Sequence, residues 1–155
     1  MCYTLPMPRH ISPDFPHGIR VEGLVLHDDK ILLVHRIKKG KEYYVLPGGG
    51  WEDDETPEEG VKREVLEETS VTVTVEEKIF ELNSPDRAKK LTYLCRYVSG
   101  IPSIGEGPEK EKMARDSENF YEPLWLDIEK IPSITLYSEE FQNWLITTYL
   151  PQHKS

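Results

Sequence analysis

The stretch LPGGGWEDDETPEEGVKREVLEETSV, Leu46 to Val71, frames the reading of the whole chain. Pro47-Gly48-Gly49-Gly50 ends a short strand-like run, Tyr43 to Leu46, and a glycine run of this kind ordinarily marks a turn. Thr56-Pro57-Glu58-Glu59 is a helix start: Thr supplies the N-cap, Pro has the preset φ of the first helical position, and Glu59 stands at the capping-box position. The helix is expected to run to about Thr69. Val61, Val65 and Leu66 can anchor it to a core. Glu64, Glu67 and Glu68 share about a third of its circumference, being three and four residues apart at 100° per residue.

Outward from this helix the chain alternates strands and turns. Residues 1–17 read as an irregular arm, because Pro6, Pro8, Pro13 and Pro16 oppose regular ladders, and 18–155 as one domain. Ile19–Leu26 and Ile31–Val34 flank the polar turn His27-Asp28-Asp29-Lys30 and predict a hairpin. Val71–Leu82, Leu91–Val98 and Tyr121–Ile128 are further strands, and 99–118 is the one long loop, a length that is usually functional in a compact domain. Phe141, Trp144, Leu145 and Tyr149 at helical spacing behind Ser138 predict a last helix whose apolar stripe is core. The expected fold class is α/β, a mixed β-sheet between helices.

The bulk numbers bound the function. A net charge of −9 argues against a broad nucleic-acid surface, although bound cations let an acidic protein take a phosphate. With 37% hydrophobic and 30% charged residues, the chain has enough apolar material for a core and enough charge for solubility. The two cysteines, Cys2 and Cys95, have no metal-type spacing and suggest no disulfide framework, so a reducing compartment is expected. No segment has the length of a signal peptide's apolar region or of a membrane span, and a cytoplasmic location is the expectation.

Nine carboxylates lie between Glu52 and Glu68. The ordinary reading of such a run is a solvated acidic face. Grouping on one helix face changes the reading, since like charges at this spacing repel by a few tenths of a kcal/mol each, roughly. Grouped hard oxygen ligands are what Mg²⁺, or Mn²⁺ as the alternative, requires. Arg63 could hold a ligand carboxylate in place or form an ordinary surface ion pair. The glycine run lets the backbone approach a metal, where a carbonyl can be a ligand.

Gly49, five residues, Glu55, seven residues, then Arg63-Glu64-Val65-Leu66-Glu67-Glu68-Thr69-Ser70-Val71 resembles the signature of the Nudix hydrolases, the MutT-like family. Eight of its nine fixed or apolar positions match, and Leu46-Pro47-Gly48-Gly49 resembles the usual lead-in. Ser70 departs from the pattern, which has Gly there to end the helix in a left-handed conformation; Ser costs about 1 kcal/mol in that role. Gly60 stands where Ala is frequent, and lies on the glutamate side of the helix, where it leaves room.

What the resemblance implies is an α/β/α sandwich that cleaves a nucleoside diphosphate linked to another group, with Mg²⁺ bridging phosphates. Glu64, Glu67 and Glu68, with the Gly48 carbonyl, are then the ligand candidates, and Glu55 has a structural place in the motif. Glu64, beside Arg63, is the first choice for orienting the attacking water; Glu118, Glu109 and Glu111 are the alternatives from the late loop. Gly49, Arg36 and Tyr44 are the substrate-contact candidates, with Tyr43 as a second stacking ring and Arg20 as a second phosphate contact. The motifs of coenzyme A and NADH members are absent, and Pro85 stands near, but not at, the spacing that marks ADP-ribose members. A nucleoside triphosphate, an ADP-ribose-like compound and a dinucleotide all stay open as the small-molecule partner. So does a homodimer, and so does a non-catalytic nucleotide-binding module on the same fold.

Overall fold

Two faces of one sheet must be covered, because the central strands are apolar on both sides. In β1 (Ile19–His27) Val21 and Val25 enter one core while Leu24 enters another; in β2 (Lys30–Lys38) Leu32 joins the first and Ile31 and Leu33 the second. Such two-sided burial reads in the sequence as continuous hydrophobic runs. The computed structural model describes residues 18–104 and 118–153. The expected N-terminal arm, 1–17, and Glu109 and Glu111 of the long loop lie outside the described residues.

The hairpin between β1 and β2 turns through Asp28 and Asp29, both at positive φ (50° and 59°), a conformation these short polar side chains tolerate. Next come β3 (Lys41–Val45), β4 (Gly48–Gly50), helix α1 (Pro57–Thr69), β5 (Thr72–Leu82), β6 (Lys89–Ser99), β7 (Asn119–Asp127) and β8 (Leu136–Tyr137). They form an eight-stranded mixed sheet in the order β5-β6-β1-β2-β3-β8, with β4 on β1 and β7 on β2. The β1–β6 and β3–β8 pairs are parallel and the others antiparallel.

Helix α1 covers one face through Val61 and Val65, both fully buried, each contributing about 1.5–3 kcal/mol of apolar burial. Gly23 of β1 permits the close approach: a methyl group there would stand 3.0 Å from Val65 and 3.1 Å from the Cys95 sulfur. Burial pushes the Cys95 thiol up to about 12, so it is an inert core group. Helix α2 (Glu139–Trp144) covers the other face. It starts on Ser138, whose hydroxyl accepts from the Phe141 N–H, and continues through a wider segment, Leu145–Tyr149, and a closing turn, Leu150–Gln152. Phe141, Leu145 and Tyr149 fill the second core as the spacing predicts. Among the described residues no helix is long and apolar enough to cross a membrane.

Two elements differ from expectation. Gly48–Gly50 is a strand on β1 and not merely a turn, because Gly48 lies against the Val21 carbonyl and Glu22, where any side chain would overlap them. The segment before β8, Ile128–Ser133, winds into a 3₁₀ helix that buries Ile131, a contact with no periodic signal in so short a run.

Candidate active site

The start of α1 fixes the site. Thr56 accepts from the Glu59 N–H at 3.1 Å and the Glu59 carboxylate accepts from the Thr56 N–H at 3.0 Å, a reciprocal cap worth about 1 kcal/mol. Behind it β4 is zipped to β1, Arg20 opposite Gly50, Val21 opposite Gly49 and Glu22 opposite Gly48, so the glycine run passes directly beneath the helix.

Arg63 is the hub. Its Nε and Nη2 donate to the two oxygens of Glu55 at 3.0 and 2.7 Å, a forked pair. Its Nη1 donates to Glu64 at 2.7 Å and to Glu67 at 3.4 Å, and Nη2 also reaches the Gly50 carbonyl at 3.3 Å. Glu55 is further held by the Glu52 N–H at 3.1 Å, and Gly60 leaves the space its carboxylate needs: a methyl group on Gly60 would come within 2.9 Å of it. Arg63, by donating to Glu55, keeps that carboxyl below its ordinary range, and Glu55 in turn raises the basicity of Arg63.

The three helix glutamates differ in setting. The Glu64 side chain is 13% exposed and lies against Gly49; burial pushes its carboxyl up, opposed by Arg63 and by the charge of Arg20. Glu67 is exposed. Glu68 accepts from the Gly48 N–H at 3.3 Å. Among the described residues no three His, Cys, Asp or Glu side chains stand arranged to hold a metal ion, because Glu64 and Glu67 turn to Arg63 and Glu68 to Gly48. The donor set itself, three carboxylates on one helix face beside a glycine backbone, fits a hard divalent cation.

A cleft of about 950 Å³ opens beside this face, with Glu68 in its wall. Its lining is basic on an acidic chain: seven Lys and Arg, among them Arg20, Arg36, Arg87 and Lys90, against Glu22, Glu42 and Glu68. Arg36 stands in register between Tyr43 of β3 and Tyr121 of β7. Its guanidinium carbon lies 3.8 Å from the Tyr121 ring centre and 5.7 Å from that of Tyr43. Its Nε is buried without a hydrogen-bond partner among the described residues. Tyr137 continues the aromatic wall, 5.8 Å from Tyr43 between ring centres.

Two expected residues lie elsewhere. Tyr44 does not line this cleft: strand alternation turns it away from Tyr43, to stack on His35 at 4.6 Å and pack on the second core. Glu118 precedes β7, its carbonyl accepting from the Lys39 N–H at 3.2 Å. It lines a separate depression with Ile37, Gly40 and Phe120, because the β2–β7 register carries it to the far end of that pair. Conversely, Tyr121, Tyr137, Arg87 and Lys90 carry no spacing signal that singles them out, and strand register alone brings them to the cleft.

The family model of the NUDIX domain matches residues 16–145. A "MutT-like protein" of Streptomyces ambofaciens is 40% identical over 103 residues, 65% of this chain and 66% of that one. An "ADP-ribose pyrophosphatase" of Methanocaldococcus jannaschii is 41% identical over 124 residues, 79% of this chain and 69% of that one. The chain thus spans about two thirds of the length of these two relatives. The solved NUDIX hydrolase from Nitrosomonas europaea superimposes with a TM-score of 0.64 at 22% identity, over 86% of this chain and 88% of that one, which shows a shared fold. With the matched profile covering most of its length and its Arg63 hub built from the signature residues, the chain belongs to the Nudix hydrolase family.

Proposed function

We propose that this protein hydrolyses a pyrophosphate linkage in a nucleoside diphosphate joined to another group, with Mg²⁺ (Mn²⁺ as the alternative) held by Glu64, Glu67, Glu68 and the Gly48 backbone. The observation that carries this reading is the placement of Glu64, a half-buried carboxylate cradled on Gly49 and oriented by Arg63, beside a large basic cleft in an otherwise acidic chain. Divalent cations bound there would stabilise charge on the phosphoryl oxygens and acidify a bound water. Arg63 donates to Glu64 at 2.7 Å and so anchors its carboxylate, and Glu64 is the group that orients or takes the proton of that water. Gly49 keeps the backbone clear of the carboxylate. Arg36, stacked on Tyr121, and the rings of Tyr43 and Tyr137 offer a face to the nucleobase.

The name of the Methanocaldococcus relative puts ADP-ribose among the substrates to try. The test is a hydrolysis screen over ADP-ribose, nucleoside triphosphates, dinucleoside polyphosphates and nucleotide sugars, with Mg²⁺ and with excess chelator. Cleavage of at least one that stops in chelator is expected. Failure to cleave any of them, or full activity in chelator, would overturn the proposal.

A further inference from the structure

Arg20 and Lys90 are register partners on the parallel strands β1 and β6, so their side chains rise from one face of the sheet into the same cleft. Both are half-buried. Among the described residues neither makes a hydrogen bond or an ion pair. Each carboxylate near them is otherwise engaged. Glu22, one rung deeper, is buried and accepts from the Thr92 hydroxyl at 3.0 Å, and Glu140 pairs with Arg87 at 3.3 Å. Arg87 brings a third positive charge toward Lys90; burial lowers the affinity of Lys90 for its proton, the charge of Glu22 opposes that, and Arg20 and Arg87 add to it. The Lys90 ammonium instead faces the Tyr137 ring at 5.8 Å, and Arg20 also acts on Glu64. Two cations side by side in a partly dehydrated cleft, with no ion-pair partner among the described residues, repel each other, and an anion between them relieves that cost.

We infer that Arg20, Lys90 and Arg87 form an anion subsite for a phosphate group carried on the part of the substrate beyond the cleaved linkage. This rests on the proposed hydrolase reading and deepens it. The cleft has one group of cations beside α1, Arg20, Lys90 and Arg87, and an aromatic side where Arg36 stands between Tyr43 and Tyr121, with Lys38, Lys39 and Lys41 also in the wall. Tyr137 lies between them, within 5.8 Å of both Lys90 and Tyr43. A nucleotide whose base takes the aromatic side presents its far arm to Arg20, Lys90 and Arg87. The favoured substrate class is therefore a nucleotide whose diphosphate leads to a further phosphate, over one that ends in a neutral sugar.

The test is calorimetric titration of the whole chain with inorganic tripolyphosphate in excess chelator, a readout independent of turnover and of metal. Binding is expected, and Lys90→Gln or Arg20→Gln should weaken it by about tenfold, the loss of one charged hydrogen bond. Arg87→Gln, at an exposed position, should weaken it by about threefold through lost attraction and cannot fail by misfolding of a core. Lys41→Gln, at an exposed position of the same cleft, should leave the affinity within about twofold. Absence of binding, equal affinity in wild type and the Arg20, Lys90 and Arg87 variants, or an equal loss in Lys41→Gln overturns the subsite. None of these outcomes bears on whether a nucleotide is cleaved with Mg²⁺, so the hydrolase reading stands or falls separately.

Discussion

The Glu64 carboxylate occupies the space where a side chain on Gly49 would begin. A methyl group on Gly49 would lie 2.5 Å from the carboxyl carbon and from both its oxygens. Gly49 has no positive φ that would bar another residue, so its glycine answers a need for space and not for backbone freedom. Gly49→Ala should displace Glu64 while the strand pairing with Val21 survives. A shift of about 1 Å at a catalytic group costs on the order of a hundredfold in rate. We expect kcat/KM to fall by about that factor with an unchanged circular dichroism spectrum, and wild-type kinetics in the variant would remove Glu64 from the mechanism.

Arg63 holds Glu55 and Glu64 at once, so its two effects should separate by substitution. Arg63→Lys keeps the charge and loses the fork that grips both oxygens of Glu55. A loss of about 1.5–3 kcal/mol in stability is expected from broken charged hydrogen bonds. Because Glu64 also loses its anchor, activity should fall even at temperatures where the variant is fully folded. Chemical denaturation measures the first effect and initial rates the second; a lysine variant as stable as wild type would show that the fork contributes nothing.

Glu68 reports on the cation. Its carboxylate is half-exposed beside the Gly48 N–H, where Gln can keep the shape and the hydrogen bond while removing the charge. We expect Glu68→Gln to need at least about tenfold more Mg²⁺ for half-maximal binding, with the melting temperature nearly unchanged. A Mg²⁺ titration matching wild type would exclude Glu68 as a ligand.

Local rules make helix α1 legible. Thr56 and Pro57 fix its start to the residue, and the glutamate spacing shows their common face, since both depend on neighbours within one turn. The strands were legible in place but short in extent: β2 continues to Lys38 because β3 and β7 pair with it, which no local pattern reports. The same blindness hid the cleft. Arg36 meets Tyr121 and Arg20 meets Lys90 across strands far apart in the chain, so their neighbours follow from register alone. The sequence offers Tyr43 and Tyr44 alike as stacking rings, whereas alternation along β3 sends the two to opposite sides.

The Glu55–Arg63 pair gives an acid limb to stability. Arg63 holds the Glu55 carboxyl below its ordinary value of 4.5 in the folded chain. A group with a depressed folded pKa stabilises the fold above its unfolded pKa, and that contribution is lost as pH falls through the folded value. The stability advantage of wild type over Glu55→Gln should therefore be full near pH 6 and shrink as pH drops below about 4.5. Urea unfolding at a series of pH values from 6 to 3 reads it directly. A difference that stayed constant over that range would mean that Glu55 is not held ionised by Arg63.

Ser70 ends α1 in the left-handed region, φ 65° and ψ 13°, where the family pattern has glycine. The conformation costs a side-chain-bearing residue about 1 kcal/mol. Two hydrogen bonds offset that cost: the Ser70 N–H closes the helix onto the Leu66 carbonyl, and its hydroxyl donates to the Ser103 carbonyl at 3.0 Å. Only the second depends on the side chain. Ser70→Ala keeps the strained backbone and loses the hydroxyl bond, so it should destabilise by about 0.5–1.5 kcal/mol. Ser70→Gly loses the same bond but relieves the strain, and the two effects should cancel to within about 0.5 kcal/mol. Thermal melts of the three proteins should thus rank serine and glycine together above alanine. If alanine matched or exceeded glycine, the left-handed cap would carry no strain, and the departure from glycine at this position would need another cause.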